Sequence, residues 1–296
     1  MSNKSSPSLT TVAEEFTPLD FPAAWLGRTV RRRRASQRVK ELVSGTRLGH
    51  PVHPPLTTLV IGSLTSALLL DLLAPRSGER AARRLIAVGI AAGAPTALSG
   101  LSDWADSESA DERVRRLGLM HGGANSSAMI LYGASLVARR RGARFRAVLL
   151  SLAGATMLAG GGYLGGHLSY SLGVGVNQTA FDKVPKEWTR VALADEVPEG
   201  QPHPVEADGA HVLLVRRGET LYAINDRCNH RGCRLSSGEL SGQTVTCPCH
   251  GSQFDIRDGS LLRGPATTRQ PVFEARICGD HIEIRPCRQG RGDSAT

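Results

Sequence analysis

Four apolar stretches, residues 55–74, 85–101, 117–137 and 148–166, constrain the fold of this chain more than any other feature. A helix of about 20 apolar residues crosses the hydrocarbon core of a bilayer, and each stretch is near that length. Taken singly, the first carries Asp71 close to its end and the second is short, so either reads as a buried soluble helix. As a set, separated by short charged loops, they predict a four-helix transmembrane bundle. Gly161/Gly165 and Gly162/Gly166 give the fourth stretch two GxxxG spacings, which let helix backbones approach closely inside lipid. The other reading of the same glycines is that the run GGGYLGG simply ends the helix.

The chain has 296 residues and a net charge of +9, which on its face points to nucleic acid or an anionic membrane surface. Its arginines gather in Arg31-Arg32-Arg33-Arg34, Arg83-Arg84 and Arg139-Arg140-Arg141, and the last two groups abut apolar runs. Membrane-flanking loops look like this. Nucleic-acid faces interleave charge with aromatic residues, which are only 4% here, so no nucleic-acid partner is expected. Residues 1–48 lack sustained apolar periodicity and read as a basic, mostly flexible arm, with a helix around 36–43. Residues 1–20 are polar, so no cleavable signal peptide is expected.

All six cysteines fall between Cys228 and Cys287. A general disulfide framework would scatter them; a local metal site explains the clustering better. Residues 188–284 hold short β-branched runs (HVLLV, LYAIN, TVTC, QFDI, PVFEARI, HIEIR) between Gly, Asp, Asn and Pro. Such spacing predicts a small antiparallel sandwich or barrel. The expected organisation is therefore an arm (1–48), a transmembrane domain (49–176), a linker (177–187), a small all-β domain (188–287) and a disordered tail (288–296).

The decisive residues are CNHRGC at 228–233 and CPCHGSQFD at 247–255. Cys228-x-His230 and Cys247-x-x-His250 place one thiolate and one imidazole on each of two loops. This is the ligand pattern of a Rieske-type [2Fe–2S] cluster, in which two thiolates bind one iron and two imidazoles the other. Replacing two anionic ligands by neutral ones eases reduction, and potentials lie at roughly −150 to +300 mV. Structural zinc is the competing reading of two Cys and two His, but finger ligands come as a Cys pair followed by a His pair. Gly232, Pro248, Gly251 and Ser252 suit tight loops whose amides point at sulfur.

From Trp188 to about Pro286 the chain resembles a Rieske domain, with an entry strand at WTRVAL and Gly264-Pro265-Ala266 matching the proline loop over the cluster. The resemblance implies that Cys228 and Cys247 ligate the buried iron, and His230 and His250 the outer one. It implies a Cys233–Cys249 disulfide, as in respiratory-type members and unlike most soluble Rieske ferredoxins. Ser252 matches a serine donating to a bridging sulfide. Phe254 departs from the respiratory tyrosine, which implies a lower potential. Cys278 and Cys287 flank the last hairpin as a second disulfide or as two free thiols, and His203, His211 and His281 have no partner at ligand spacing.

His50 and His53, LSDW at 101–104, His121 with Asn125, and GGYLGGHLSYSLGVGV at 161–176 resemble the DUF2231 family of four-span bacterial membrane domains, a family without an assigned activity. Alternating spans would bring His50, His53, His121 and His167 to one membrane face, that of the all-β domain. Ionisable residues at membrane depth are functional candidates, so His53, His121 and His167 are candidates for haem b or quinone binding. The opposing reading is interfacial histidines bonded to carbonyls and headgroups. Basic residues flanking the spans divide evenly between the two sides; Arg28 and the Arg31–Arg34 cluster tip the N-terminus and the Rieske domain toward the cytoplasm.

The expected function is a membrane-bound, multi-pass carrier passing single electrons from a membrane donor, quinol or haem, to an unidentified partner. The alternatives are a membrane-anchored ferredoxin supplying an oxygenase, and a redox sensor. The few residues after Cys287 leave no room for a mononuclear-iron catalytic domain with its 2-His-1-carboxylate triad, so no self-contained catalytic domain is expected.

Overall fold

A computed structural model describes residues 9–33 and 36–287. Arg34 of the arginine cluster and the tail 288–296 lie outside the described residues. The chain divides into two compact units, one of Met1–Ser44 with Pro51–Gly175, the other of Gly45–His50 with the residues from 176 onward.

The first unit is helical: α1 (Leu9–Glu14), α2 (Asp20–Arg32), α3 (Gln37–Ser44), α4 (His53–Leu73), α5 (Glu79–Ala105), α6 (Glu112–Arg140) and α7 (Arg144–Tyr170). All four apolar stretches are helices. α4 packs on α5 and α7, and α6 packs on the same two, which closes a four-membered ring. Val60, Leu64, Ala67, Ile86, Ala128 and Tyr132 fill its inside. Leu59, Ile61, Leu69, Val88, Ile130 and Leu149 stand exposed on its outside. A helix apolar on every side belongs in an apolar surrounding.

By length and composition α4, α5 and α7 are able to cross a membrane, and α6 is not among them. The expected four-helix bundle is present: α4, α5 and α7 are its three candidate spans by length and composition, and α6 completes it as the fourth helix. His121, Asn125, Ser126 and Ser127 interrupt the apolar run of α6. The GGGYLGG run does not end α7, which continues to Tyr170. Only one of the two GxxxG spacings makes a close approach: a Cβ at Gly161 would lie 2.6 Å from Asn125 Nδ2, whereas one at Gly162 would meet nothing within 4 Å. Asp71 is tolerated because Arg139 pairs with it, both side chains being fully buried.

The described part of residues 1–48 differs from the expected flexible arm. α2 packs on α5 and α6, and α3 packs on α5. Charge pairing is the cause. Asp20 accepts from Arg116 Nε at 2.6 Å and Nη2 at 2.7 Å. Lys40 Nζ reaches Asp106 at 2.7 Å, and Arg31 and Arg115 both pair with Glu108, a residue 1% exposed. Partners so distant in sequence leave no periodic signal. The expected helix at 36–43 is present as α3.

The second unit is all β and antiparallel. One sheet has the order β1 (Thr189–Leu193), β10 (His281–Pro286), β9 (Val272–Cys278), β4 (Thr220–Asn225), β3 (Ala210–Arg217), β2 (His203–Ala207). The other runs β5 (Glu239–Ser241), β6 (Thr244–Thr246), β7 (Gln253–Asp255), β8 (Leu261–Arg263). Alternation along β3 serves two cores: Leu213 and Val215 pack with Cys228, Val245, Cys247 and Phe254, while Val212 and Leu214 pack with Phe273, Ile282 and Ile284. Residues 45–50 belong to this unit, and Thr46 Oγ1 donates to the Ala266 carbonyl at 3.0 Å.

Candidate metal centre

The two cysteine boxes fold as matching loops, the first after β4 and the second between β6 and β7. In the first, Cys228 O accepts from Gly232 N at 2.8 Å, and Cys228 N donates to Cys233 O at 2.8 Å. In the second, Cys247 O accepts from Gly251 N at 3.0 Å, and Cys247 N donates to Ser252 O at 2.8 Å. Gly232 (φ 78°) and Gly251 (φ 77°) occupy the same left-handed position of each turn, where a side chain would be strained. The amides of His230 and Arg231 point at Cys228 Sγ, and those of Cys249 and His250 at Cys247 Sγ. Each sulfur thus sits in a cradle of N–H dipoles that favours its thiolate.

The candidate ligands divide into two kinds. Cys228 and Cys247 are buried at 1% and 2% exposure and unoxidised. Their thiols hydrogen-bond to each other, which pushes Cys247 down to about 6, while the same bond and burial hold Cys228 well above its ordinary value. Two thiolates so close repel unless a cation lies between them. His230 and His250 are half-buried, their rings edge to face with centroids 5.1 Å apart. Among the described residues no three His, Cys, Asp or Glu side chains converge on one metal position, whereas tetrahedral zinc needs four donors around one ion. Two donor pairs, inner sulfur and outer nitrogen, fit a two-iron cluster instead.

A disulfide joins Cys233 to Cys249 across the two loops. Cys278 and Cys287 are free thiols. Ser252, fully buried, accepts the Ala266 N–H through its Oγ at 3.0 Å, so its own proton remains available to a further acceptor. That bond fastens the Gly264-Pro265-Ala266 loop from one side, and Thr46 fastens it from the other. Phe254 is fully buried in the core.

Sequence reasoning missed the clamps on these loops. Asn229, between the first two candidate ligands, donates through Nδ2 to the carbonyls of Thr268 and Arg269 at 2.9 Å each. Gln270, fully buried, donates to the Asn225 carbonyl at 2.9 Å and accepts from Asn229 N at 3.2 Å. Asp226 accepts from Ser236 N at 2.6 Å, and Arg263 donates twice to Gly251 O, at 3.0 and 2.9 Å. The placement of Asn229 inside the ligand box was the one available signal.

The three candidate histidines of the helical unit have different surroundings. His53, at the start of α4, has Nδ1 3.1 Å from both Thr96 O and Ser99 Oγ. His121 on α6 has Nδ1 2.7 Å from Gly161 O. His167 on α7 places Nε2 2.7 Å from Glu14 Oε1.

Fold and site together define a class: an iron–sulfur β domain with one Cys/His pair on each of two disulfide-tied loops, accompanied by a helical membrane-protein domain. The Rieske [2Fe–2S] domain family matches residues 187–274, and the DUF2231 family, described as a predicted membrane protein, matches 49–178. Through the first of these the chain belongs to the Rieske [2Fe–2S] family, and such a domain implies a [2Fe–2S] cluster. The anthranilate 1,2-dioxygenase ferredoxin subunit of Burkholderia cepacia is 33% identical over 98 residues, which are 33% of this chain and 91% of that protein. The cytochrome b6-f complex iron-sulfur subunit of Chlorobaculum thiosulfatiphilum is 33% identical over 94 residues, 32% of this chain and 51% of that protein. The solved ferredoxin of carbazole 1,9a-dioxygenase from Nocardioides aromaticivorans IC177 is 29% identical, covering 34% of this chain and 99% of that one at a TM-score of 0.33.

Proposed function

We propose that this chain is a multi-pass membrane electron carrier whose Rieske cluster is held by Cys228, His230, Cys247 and His250 and accepts single electrons from a membrane donor, quinol or haem. The observation that carries the reading is the pair of matching loops, each offering one buried sulfur and one half-buried imidazole. When bound, the cluster supplies a one-electron couple. Cys228 and Cys247 would hold one iron within their amide cradles. His230 and His250, half-buried, would hold the other. The Ser252 hydroxyl would be free to donate to a cluster sulfide, and Pro265 lies buried in the loop that Ser252 and Thr46 fasten. Phe254 brings no hydroxyl, which sets the potential below that of a site with both donors.

The helical unit provides the membrane anchor, and α6 crosses as a fourth span, its His121 bonded within the bundle to Gly161 O. Four crossings return the chain to the side of its N-terminus, which the arginines of residues 28–34 assign to the cytoplasm. The second reading is an anchored ferredoxin supplying an oxygenase, favoured by the relation to a dioxygenase ferredoxin. The Cys233–Cys249 disulfide favours the first, since the resemblance ties that bridge to respiratory-type members. The test is the full chain in lipid nanodiscs, with cluster reduction followed by visible circular dichroism. Reduction by a quinol analogue supports the carrier. Inertness to quinol combined with rapid reduction by a flavin-dependent ferredoxin reductase supports the oxygenase supplier.

A further inference from the structure

The outer side of α2 is apolar and basic at once. Phe21, Trp25, Arg28 and Arg32 recur at i, i+4, i+7 and i+11 and so share one face of that helix. Phe21 is 77% exposed and Trp25 57%, and both arginines are exposed with them. Neither Arg28 nor Arg32 has a carboxylate partner among the described residues, whereas Arg31 turns inward to Glu108 and to the Ala105 carbonyl. Ala23 and Gly27 are buried on the opposite face, where a Cβ at Gly27 would collide with the Glu108 carboxylate. A surface helix in water keeps its large apolar residues on the inner face. In α2 the smallest residues face the protein and the aromatic ones face away.

The anchors of α2 set its level on the bundle. Both of its ends are fastened where α5 gives way to α6, Asp20 to Arg116 and Arg31 to Glu108. α1 is held at the same end, with Glu14 meeting His167 in the last turn of α7 at 2.7 Å. Aromatic residues mark this level independently. On α4 to α7, Trp104 and Tyr132 are buried, and the exposed aromatics are Phe145, Tyr163 and Tyr170, all on α7. Phe145 and Tyr163 stand about 27 Å apart at 1.5 Å per residue, close to the roughly 30 Å of a hydrocarbon core. Exposed aromatics with that separation are the belts of the two bilayer boundaries. His167 lies one turn beyond Tyr163, so α1 and α2 sit at the boundary on that side.

We propose that the Phe21–Trp25–Arg28–Arg32 face of α2 is a binding surface for acidic phospholipid. The proposal rests on the reading of the helical unit as a membrane anchor and adds the lipid class that the anchor selects. Phe21 and Trp25 enter the boundary between acyl chains and headgroups, where an aromatic ring is buried without leaving its polar edge dry. Arg28 and Arg32, on the same stripe, meet phosphate oxygens, which a guanidinium pairs bidentately. Charge selects the lipid. A choline or ethanolamine cation cancels the phosphate beside it, while phosphatidylglycerol keeps its negative charge for the two arginines. Each basic residue at an acidic surface strengthens binding by about fivefold. A soluble protein would have to lift both rings out of the bilayer before it could occupy the same face.

The test uses the full chain in nanodiscs that mix phosphatidylcholine with phosphatidylglycerol, one or the other brominated near the headgroup end of its acyl chains as a quencher. Trp25 emission is taken as the difference between wild type and Trp25→Phe. The expected result is quenching of Trp25 by brominated lipid, stronger when phosphatidylglycerol carries the bromine. That preference should fall by about fivefold in Arg28→Gln and again in Arg32→Gln, and weaken with added salt. Equal quenching by the two lipids, or a preference that survives both substitutions, overturns the acidic-lipid surface. Unquenched Trp25 in protein that has entered the nanodisc overturns it and leaves the anchor standing. Conversion of a dimer to a monomer by Phe21→Ser with Trp25→Ser also overturns it, since a second copy then occupies the face. Protein that stays outside the nanodiscs overturns the anchor, and this surface with it.

Discussion

Replacing Ser252 by Ala separates the electronic role of the hydroxyl from its structural one. Ser252 is fully buried and Ala266 is 1% exposed, joined by a 3.0 Å bond in which Ala266 N donates to Ser252 Oγ. Removing the acceptor strands a buried N–H, at a cost of about 1–3 kcal/mol. Removing the donor takes a hydrogen bond from the cluster sulfide. A bond to a charged acceptor contributes about 1.5–3 kcal/mol. Only its strengthening on reduction counts, so at about 59 mV per 1.4 kcal/mol for one electron the potential should fall by tens of millivolts and at most about 130 mV. Thr46→Val is the control: it releases the same loop at the Ala266 carbonyl and touches no sulfide donor. Redox titration followed by visible circular dichroism reads the potential, and thermal bleaching reads the stability. A Ser252→Ala potential equal to wild type, or an equal fall in Thr46→Val, would refute the reasoning.

Removing the bridge with Cys233→Ser and Cys249→Ser should leave ligation intact but destabilise the β unit by about 3 kcal/mol, the loop-closure value for a separation of 16 residues, read as a lower bleaching temperature. Arg257 donates to Asp255 from its Nε and backbone N and holds that carboxyl below its ordinary 3.8. The depressed value means stability that is present above the ordinary carboxylate range and lost as pH falls through the folded value, so Asp255→Asn should flatten the acid limb of an unfolding-versus-pH curve below about pH 4. Arg139→Met alone should destabilise the helical unit by about 3–5 kcal/mol by stranding the fully buried Asp71, while Asp71→Leu with Arg139→Met should come close to neutral, as detergent unfolding curves would reveal.

Much of this architecture is legible in residue spacing. Hydrophobic runs locate α4 to α7 and the inner strands because burial imposes a period that a short window detects. The cysteine boxes are legible because a cluster needs a fixed donor set on tight turns, and Gly232 and Gly251 mark those turns. The clamps made by Asn229, Asp226 and Gln270 are hidden, since a buried amide or carboxylate forms its bonds with partners that sequence distance does not restrict. The ordering of α2 and α3 escapes for the same reason: Asp20, Lys40 and Arg31 have the composition of a solvated arm, and only their pairing with Arg116, Asp106 and Glu108 fixes them. The distinction between His167 and the pair His53 and His121 depends on which ring nitrogen is engaged, a matter of ångströms that no spacing rule reaches.

The central claim is a two-iron cluster with two cysteine and two histidine ligands, and EPR of the dithionite-reduced full chain, with iron and acid-labile sulfide assayed on the same sample, tests it most directly. The account predicts equal iron and sulfide from the cluster, and a rhombic signal whose average g lies below that of all-cysteine [2Fe–2S] ferredoxins, with a lowered potential in His230→Cys or His250→Cys as each adds negative charge. Zinc without acid-labile sulfide in protein made under adequate iron supply, and no such signal on reduction, would contradict it.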